Sequence, residues 1–274
     1  MPLPYNRRMI SAPPAPTIHE FDETQKGRHI LSIDELAKVD ANQIVSEVKQ
    51  NRFVIIRGLV EPDVIREGAR KFRETFDIRL DHPSQGISPD QIMHNFQKWS
   101  IGVTSPRSFC ARLFRSFYNP FWCEDIYGLH SQFEIISELR NILCDMPVGY
   151  GKEMEPDGLY SAVRIQQYPR GGGFMGAHTD HVGANNLPGS DNSRFIQVSL
   201  PLTKKGEDFL SGGGFVQNEN TMYIIDDLCE IGDVVVYDAS TLHGVLDIDP
   251  DVDFQPNDIN GRLVGFVTLY RKWD

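Results

Sequence analysis

Three side chains able to share one metal ion stand out, and two of them are nearly adjacent. The segment Gly176-Ala177-His178-Thr179-Asp180-His181-Val182-Gly183 holds an imidazole and a carboxylate two residues apart. At a strand end alternate residues share a face, so His178 and Asp180 point one way and His181 the other. The candidate third ligand is His243, at the end of Gly232-Asp233-Val234-Val235-Val236-Tyr237-Asp238-Ala239-Ser240-Thr241-Leu242-His243, which reads as a turn, a buried strand and a short polar loop. Two imidazoles and one carboxylate leave coordination positions open. That set suits redox-active iron(II) better than a closed structural zinc site. An H-x-D triplet also arises in surface turns, and His181 would join His178 on one helical face. The glycines at 171–173 and Gly176 argue against a helix there.

A fourth residue extends the pattern. Arg262 heads the apolar run Leu263 to Tyr270. A guanidinium entering an apolar sheet needs an anion, and a planar carboxylate gives the best two-point match. No buried acid in the sequence presents itself as that partner, so a ligand carboxylate is expected; the alternative is an Arg262 that caps the strand and faces solvent.

The elements that must position these residues fall into two halves. Residues 1 to about 28, with five prolines, read as an extended arm. Ser32-Ile33-Asp34-Glu35 has a capping-box pattern ahead of apolar Leu36, Val39, Ile44, Val45 and Val48, predicting a helix. Phe53 to Ile56 reads as a buried strand and Glu61 to Phe76 as a helix with Pro62 in its first turn. Prolines and glycines break up residues 77 to about 128, an irregular stretch expected to form a lid or to conceal elements, before a helix near Ser131 to Cys144. The second half shows short β-rich runs: Tyr160 to Tyr168, Phe195 to Leu202, Phe215 to Gln217, Met222 to Ile225, Val234 to Tyr237 and Leu263 to Tyr270. Such spacing predicts an antiparallel sandwich or barrel rather than a doubly wound sheet. The expected organisation is one domain over 1–274: the arm, then helical support and lid over 29–150, then the β core with the metal site over 151–274.

Composition narrows the partners. Lys and Arg total 27 against 38 Asp and Glu, a net charge of −11, and no basic run offsets it. Neither nucleic acid nor an anionic membrane is an expected partner. No stretch approaches a membrane-spanning length and the first residues lack an apolar signal core, so a soluble, cytoplasmic protein is expected. Cys110, Cys123, Cys144 and Cys229 form no metal or disulfide pattern and read as four buried, reduced thiols.

Over about residues 160–270, and more loosely over 51–76, the chain resembles the iron(II)/2-oxoglutarate-dependent dioxygenases, in particular the phytanoyl-CoA hydroxylase-like and related bacterial branches. Gln166-Gln167-Tyr168-Pro169 looks like the family's N-x-Y-P strand with Gln for Asn. His178-Thr179-Asp180 looks like its H-x-D motif, Gly213-Gly214-Phe215 like its G-G-x turn, and Gly232 to Tyr237 followed by His243-Gly244-Val245 like its G-D-x-x-x-F…H-x-V segment. The resemblance implies a mainly β fold with flanking helices around a double-stranded β-helix (jelly roll, cupin-like) core. In it His178, Asp180 and His243 would be the catalytic iron(II) ligands and Arg262 would bind the far carboxylate of 2-oxoglutarate. Val264 stands where the family often has Ser, so Tyr168, then Thr268, become the candidates for the second co-substrate contact, beside Gln166. The implied activity takes dioxygen and 2-oxoglutarate to succinate and carbon dioxide while oxidising, most simply hydroxylating, an unactivated C–H bond of a small molecule. Arg164, Asn185 and Arg194 are the candidate substrate residues, and a small polar or amino-acid-like compound is expected. Two rival readings remain: a cupin-like metalloenzyme without 2-oxoglutarate, and a β-sandwich binding module without catalysis.

Overall fold

A computed structural model describes residues 15–75, 96–102, 110–180 and 196–271. His181, Asn185 and Arg194, with about half of the stretch expected to form the lid, lie outside the described residues.

The part of the expected arm that is described holds strand β1 (Thr17–Ile18) and helix α1 (Glu23–His29), the latter opened by a capping box between Asp22 and Gln25. The pattern at Ser32 does not cap a helix. Ser32 ends strand β2 (Ile30–Ser32), whose backbone pairs in parallel with β3 (Phe53–Arg57). Leu36–Lys38 makes a single 3-10 turn, and helix α2 (Ala41–Asn51) starts instead at Asp40, whose carboxylate accepts the Gln43 N–H. Strand pairing satisfies the backbone groups that a helix cap would have served, so the tertiary contact overrides the local pattern.

Helix α3 (Pro62–Thr75) follows. The irregular stretch conceals two strands, β4 (Phe96–Ile101) and β5 (Arg112–Tyr118), before helix α4 (His130–Leu143). The run read as Tyr160 to Tyr168 is two strands, β6 (Leu159–Ser161) and β7 (Arg164–Tyr168). Then come β8 (Gly173–His178), β9 (Ile196–Pro201), β10 (Gly213–Asn218), β11 (Thr221–Ile224), β12 (Val234–Asp238), β13 (Leu242–Ile248), β14 (Arg262–Phe266) and β15 (Leu269–Arg271). His243 therefore sits in a strand, β13, rather than in a loop. The final run is broken at Val267 and Thr268, where β15 leaves to pair with β6.

Among the described residues thirteen strands form one curled sheet in the order β1-β11-β10-β13-β8-β5-β7-β14-β9-β12-β3-β2, with β4 on β5 beside that path. This is the mainly β jelly-roll core with flanking helices. Alternation decides which face does what. Val234 and Val236 of β12, with Val54 and Ile56 of β3, pack against Ile44, Phe72, Phe133 and Ile136 of α2, α3 and α4. Their neighbours Val235, Tyr237, Phe53 and Ile55 face the opposite way, into a second cluster with Val216 and Cys229. The central strands read as continuous apolar runs because both faces are covered. Arg57 and Asp233 lock β3 to the turn before β12 through a two-point pair of 2.9 and 2.7 Å. None of the cysteines forms a disulfide, and Cys123 is only half-buried where burial was expected. Among the described residues no helix is long and apolar enough to cross a membrane.

Candidate metal centre

The concave face of the curled sheet encloses a cavity of about 710 Å³ measured out to its open mouth. Residues from seven strands line it, His178, Asp180, His243, Arg164 and Arg262 among them. Pairing of β13 with β8 places His243 directly opposite His178. The two rings lie 4.3 Å apart at 52°. Asp180 follows the end of β8 and is tied back by its N–H to the Ala239 carbonyl, 2.9 Å away. Its carboxylate oxygens stand 3.6 Å from His178 Nε2 and 3.5 Å from His243 Nε2. Among the described residues this is the one group of three donors that converges, all within 4.8 Å of one another.

The tautomers follow from the backbone. His178 Nδ1 lies 2.9 Å from the Gly176 carbonyl and His243 Nδ1 2.7 Å from that of Thr241. A carbonyl only accepts, so each Nδ1 carries the proton and each Nε2 presents a lone pair toward Asp180. Burial, then the neighbouring His243, lowers the His178 pKa and keeps the ring neutral. Burial alone would raise the Asp180 carboxyl, but the neighbouring His243 and His178 and the Gln197 amide outweigh it, and the group stays below the ordinary carboxylate range. Neutral imidazoles and an ionised carboxylate are the forms that bind a metal. The set of two nitrogens and one oxygen, open toward the cavity, fits iron(II).

Gln197 was not among the residues singled out from sequence. From β9 it donates its amide to Asp180 Oδ2 at 2.9 Å, and its carbonyl accepts the Thr268 hydroxyl at 3.3 Å. Gln197 thus orients the carboxylate as a positioning residue. Gln197→Leu is expected to weaken iron(II) binding about 10- to 100-fold, read by anaerobic metal titration; unchanged affinity would show that Asp180 holds its place without the amide.

Arg262 is buried, and its partner corrects the sequence expectation. Asp226, also buried, accepts the Arg262 Nε–H at 2.9 Å and a Gly214 N–H. An internal acid was therefore present; it was invisible because it lies 36 residues away on a 3-10 turn after β11. Arg262 keeps both terminal nitrogens without an acceptor among the described residues, at the cavity wall. Gly261 at φ +110° gives the chain the turn into β14; a Cβ there would strike the Tyr168 carbonyl.

The remaining candidates line the same wall. Cross-strand pairing of β14 with β7 sets Arg262 beside Tyr168, Val264 beside Gln166 and Phe266 beside Arg164. The Tyr168 hydroxyl donates to Gln166 Oε1 at 2.9 Å, and its ring lies 5.6 Å from the Arg262 guanidinium. Thr268 is away from Arg262 in its bonding: it links Gln197 to Arg164.

No protein-family model matches this sequence, and no curated protein matches it. Solved structures do. A protein from Shewanella oneidensis, provisionally assigned as an oxygenase, aligns over 89% of this chain and 90% of its own with a TM-score of 0.50 and 13% identity. A Caulobacter crescentus protein, provisionally assigned to the 2OG-Fe(II) oxygenase family, aligns over 88% and 86% with a TM-score of 0.49 and 12% identity. A Pseudomonas putida prolyl-4-hydroxylase aligns over 86% and 100% with a TM-score of 0.45 and 13% identity. The likeness to the Shewanella protein, at that identity, is one of fold.

Proposed function

We propose that this chain, as a single domain, is an iron(II)- and 2-oxoglutarate-dependent oxygenase that oxidises, most simply hydroxylates, a C–H bond of a small molecule. The observation that carries the reading is the convergence of His178 Nε2, Asp180 and His243 Nε2 inside a cavity whose wall also presents the unused end of Arg262. The three side chains hold iron(II), and Arg262, with Tyr168 beside it, takes the far carboxylate of 2-oxoglutarate. Bound iron would supply the dioxygen chemistry that couples decarboxylation of 2-oxoglutarate to oxidation of the substrate. Val235, Val245 and Phe266 give the cavity apolar walls. The four thiols, unpaired as disulfides, suit the reducing cytoplasm, where we place the protein.

The Arg262–Asp226 pair favours one other reading, a jelly-roll iron enzyme without 2-oxoglutarate, because Arg262 already has a counter-charge. Anaerobic titration separates the two. Metal-free protein given iron(II) and then 2-oxoglutarate should develop the visible charge-transfer band of a chelated 2-oxo acid, and Arg262→Ala should weaken it. Iron binding without the band would remove 2-oxoglutarate from the reading. Absence of iron binding would remove the metal centre itself.

A further inference from the structure

Two of the guanidiniums buried in this chain, Arg140 and Arg164, have no carboxylate at ion-pair distance among the described residues, and they are treated oppositely. Arg140, under β14, has an acceptor for every nitrogen: Asn141 Oδ1, the Ser137 and Ser161 hydroxyls, and the Val267 and Tyr150 carbonyls. Neutral oxygens surround it completely, as a structural buried cation requires. Arg164 is 7% exposed and has two acceptors among the described residues, the Ala162 carbonyl at 3.1 Å and the Thr268 hydroxyl at 3.3 Å. Its Nε–H, buried, has none. Phe266 and Tyr270 sit 5.1 Å from its guanidinium carbon, so aromatic faces hold the group in place without neutralising it.

Charged groups of both signs surround Arg164. Asp180 is a carboxylate that acts on it, and that group belongs to the metal centre. Lys98 on β4 and Arg112 on β5 add positive charge nearby: burial, helped by repulsion from Arg164 and Arg112, lowers the Lys98 pKa. Arg164 lines the metal-centre cavity and is joined to Asp180 through Thr268 and Gln197. A cation held rigid, short of acceptors and facing a ligand cavity is a binding element for an anion.

We infer that Arg164 is the anion-recognising residue of the substrate subsite and that the substrate is a small molecule carrying a carboxylate. This rests on the oxygenase reading of the cavity, with Arg262 reserved for 2-oxoglutarate and Arg164 for the second acid. The substrate carboxylate completes the guanidinium's coordination and anchors the molecule on the β7 side, with the C–H bond to be oxidised turned toward His178, Asp180 and His243.

Calorimetric titration tests it without turnover. The anaerobic protein loaded with iron(II) and 2-oxoglutarate is titrated with benzoate, phenylacetate, 3-phenylpropionate and N-acetylglycine, and with the matching carboxamides. Acids should bind in preference to their amides. Arg164→Met should weaken the acids about 10- to 100-fold and leave 2-oxoglutarate affinity unchanged, while Arg262→Met should do the reverse. Three results would overturn the inference: acids and amides behaving alike or neither binding, acid binding that survives in Arg164→Met, or loss of 2-oxoglutarate affinity in Arg164→Met. The last would assign Arg164 to the co-substrate. Arg164→Gln is carried beside the Met variant, and should both fail to fold, the acid-over-amide preference of the unmodified protein decides. Failure of the oxygenase reading shows separately, as a missing 2-oxoglutarate band in the unmodified protein.

Discussion

His243→Ala protein is expected to bind iron(II) more than about 100-fold more weakly than the unmodified chain, since even loss of a residue behind a ligand costs 10- to 100-fold. His243 Nε2 and Asp180 Oδ2 are 3.5 Å apart, and removing the imidazole leaves Asp180 and His178 as the two remaining metal donors. Two donors cannot close the facial set that leaves room for a co-substrate. With the metal site lost, the 2-oxoglutarate band and any succinate release should disappear together. The fold should survive, because His243 is paired through its backbone in β13 and the ring occupies the cavity wall rather than the core. Anaerobic iron titration beside thermal melting checks both halves. Retention of stoichiometric iron would show that the metal, if bound, sits elsewhere.

Asp226→Ala should have the largest effect on stability. The carboxylate is buried against Arg262, itself buried, and also accepts the Gly214 N–H. Its removal strands a cation inside the sheet, a change that costs about 3–5 kcal/mol. For a chain of this size that is a fall in Tm of roughly 6–20 °C. Replacing both partners, Asp226→Leu with Arg262→Met, should recover most of the loss, because two apolar side chains leave no uncompensated charge. The double variant should still fail to bind 2-oxoglutarate. A loss below about 1 kcal/mol in Asp226→Ala, typical of a solvated pair, would mean the pair is open to water. Thermal or urea melting distinguishes these outcomes.

The two predictions draw on information of different kinds. His178 and Asp180 could be read from the sequence because two-residue spacing is a property of extended backbone, whatever the remaining fold. Val234 to Tyr237 and Phe53 to Ile56 could be read as buried strands because continuous apolar runs of that length have few alternatives. Helices α3 and α4 carried their own apolar periodicity, and the structure places them at Pro62–Thr75 and His130–Leu143. The capping pattern at Ser32 misled, since it is a local preference and the pairing of Ile30–Ser32 with Ile55–Arg57 is not local.

What the tertiary structure decided is which groups meet across long separations. Asp226 and Arg262 are 36 residues apart, Gln197 and Asp180 are 17, and Thr268 and Arg164 are 104. No period links such pairs; only the strand order of the curled sheet brings them together. β5 escaped notice for the same reason. Polar residues interrupt its apolar pattern, and its hydrogen bonds to β7 and β8 make it a strand. Sequence alone thus determined the candidate metal-ligand residue types and the β-rich core. The closing of the sheet decided how each charge inside it is balanced, because Coulomb and hydrogen-bond energies depend on distance in space and not along the chain.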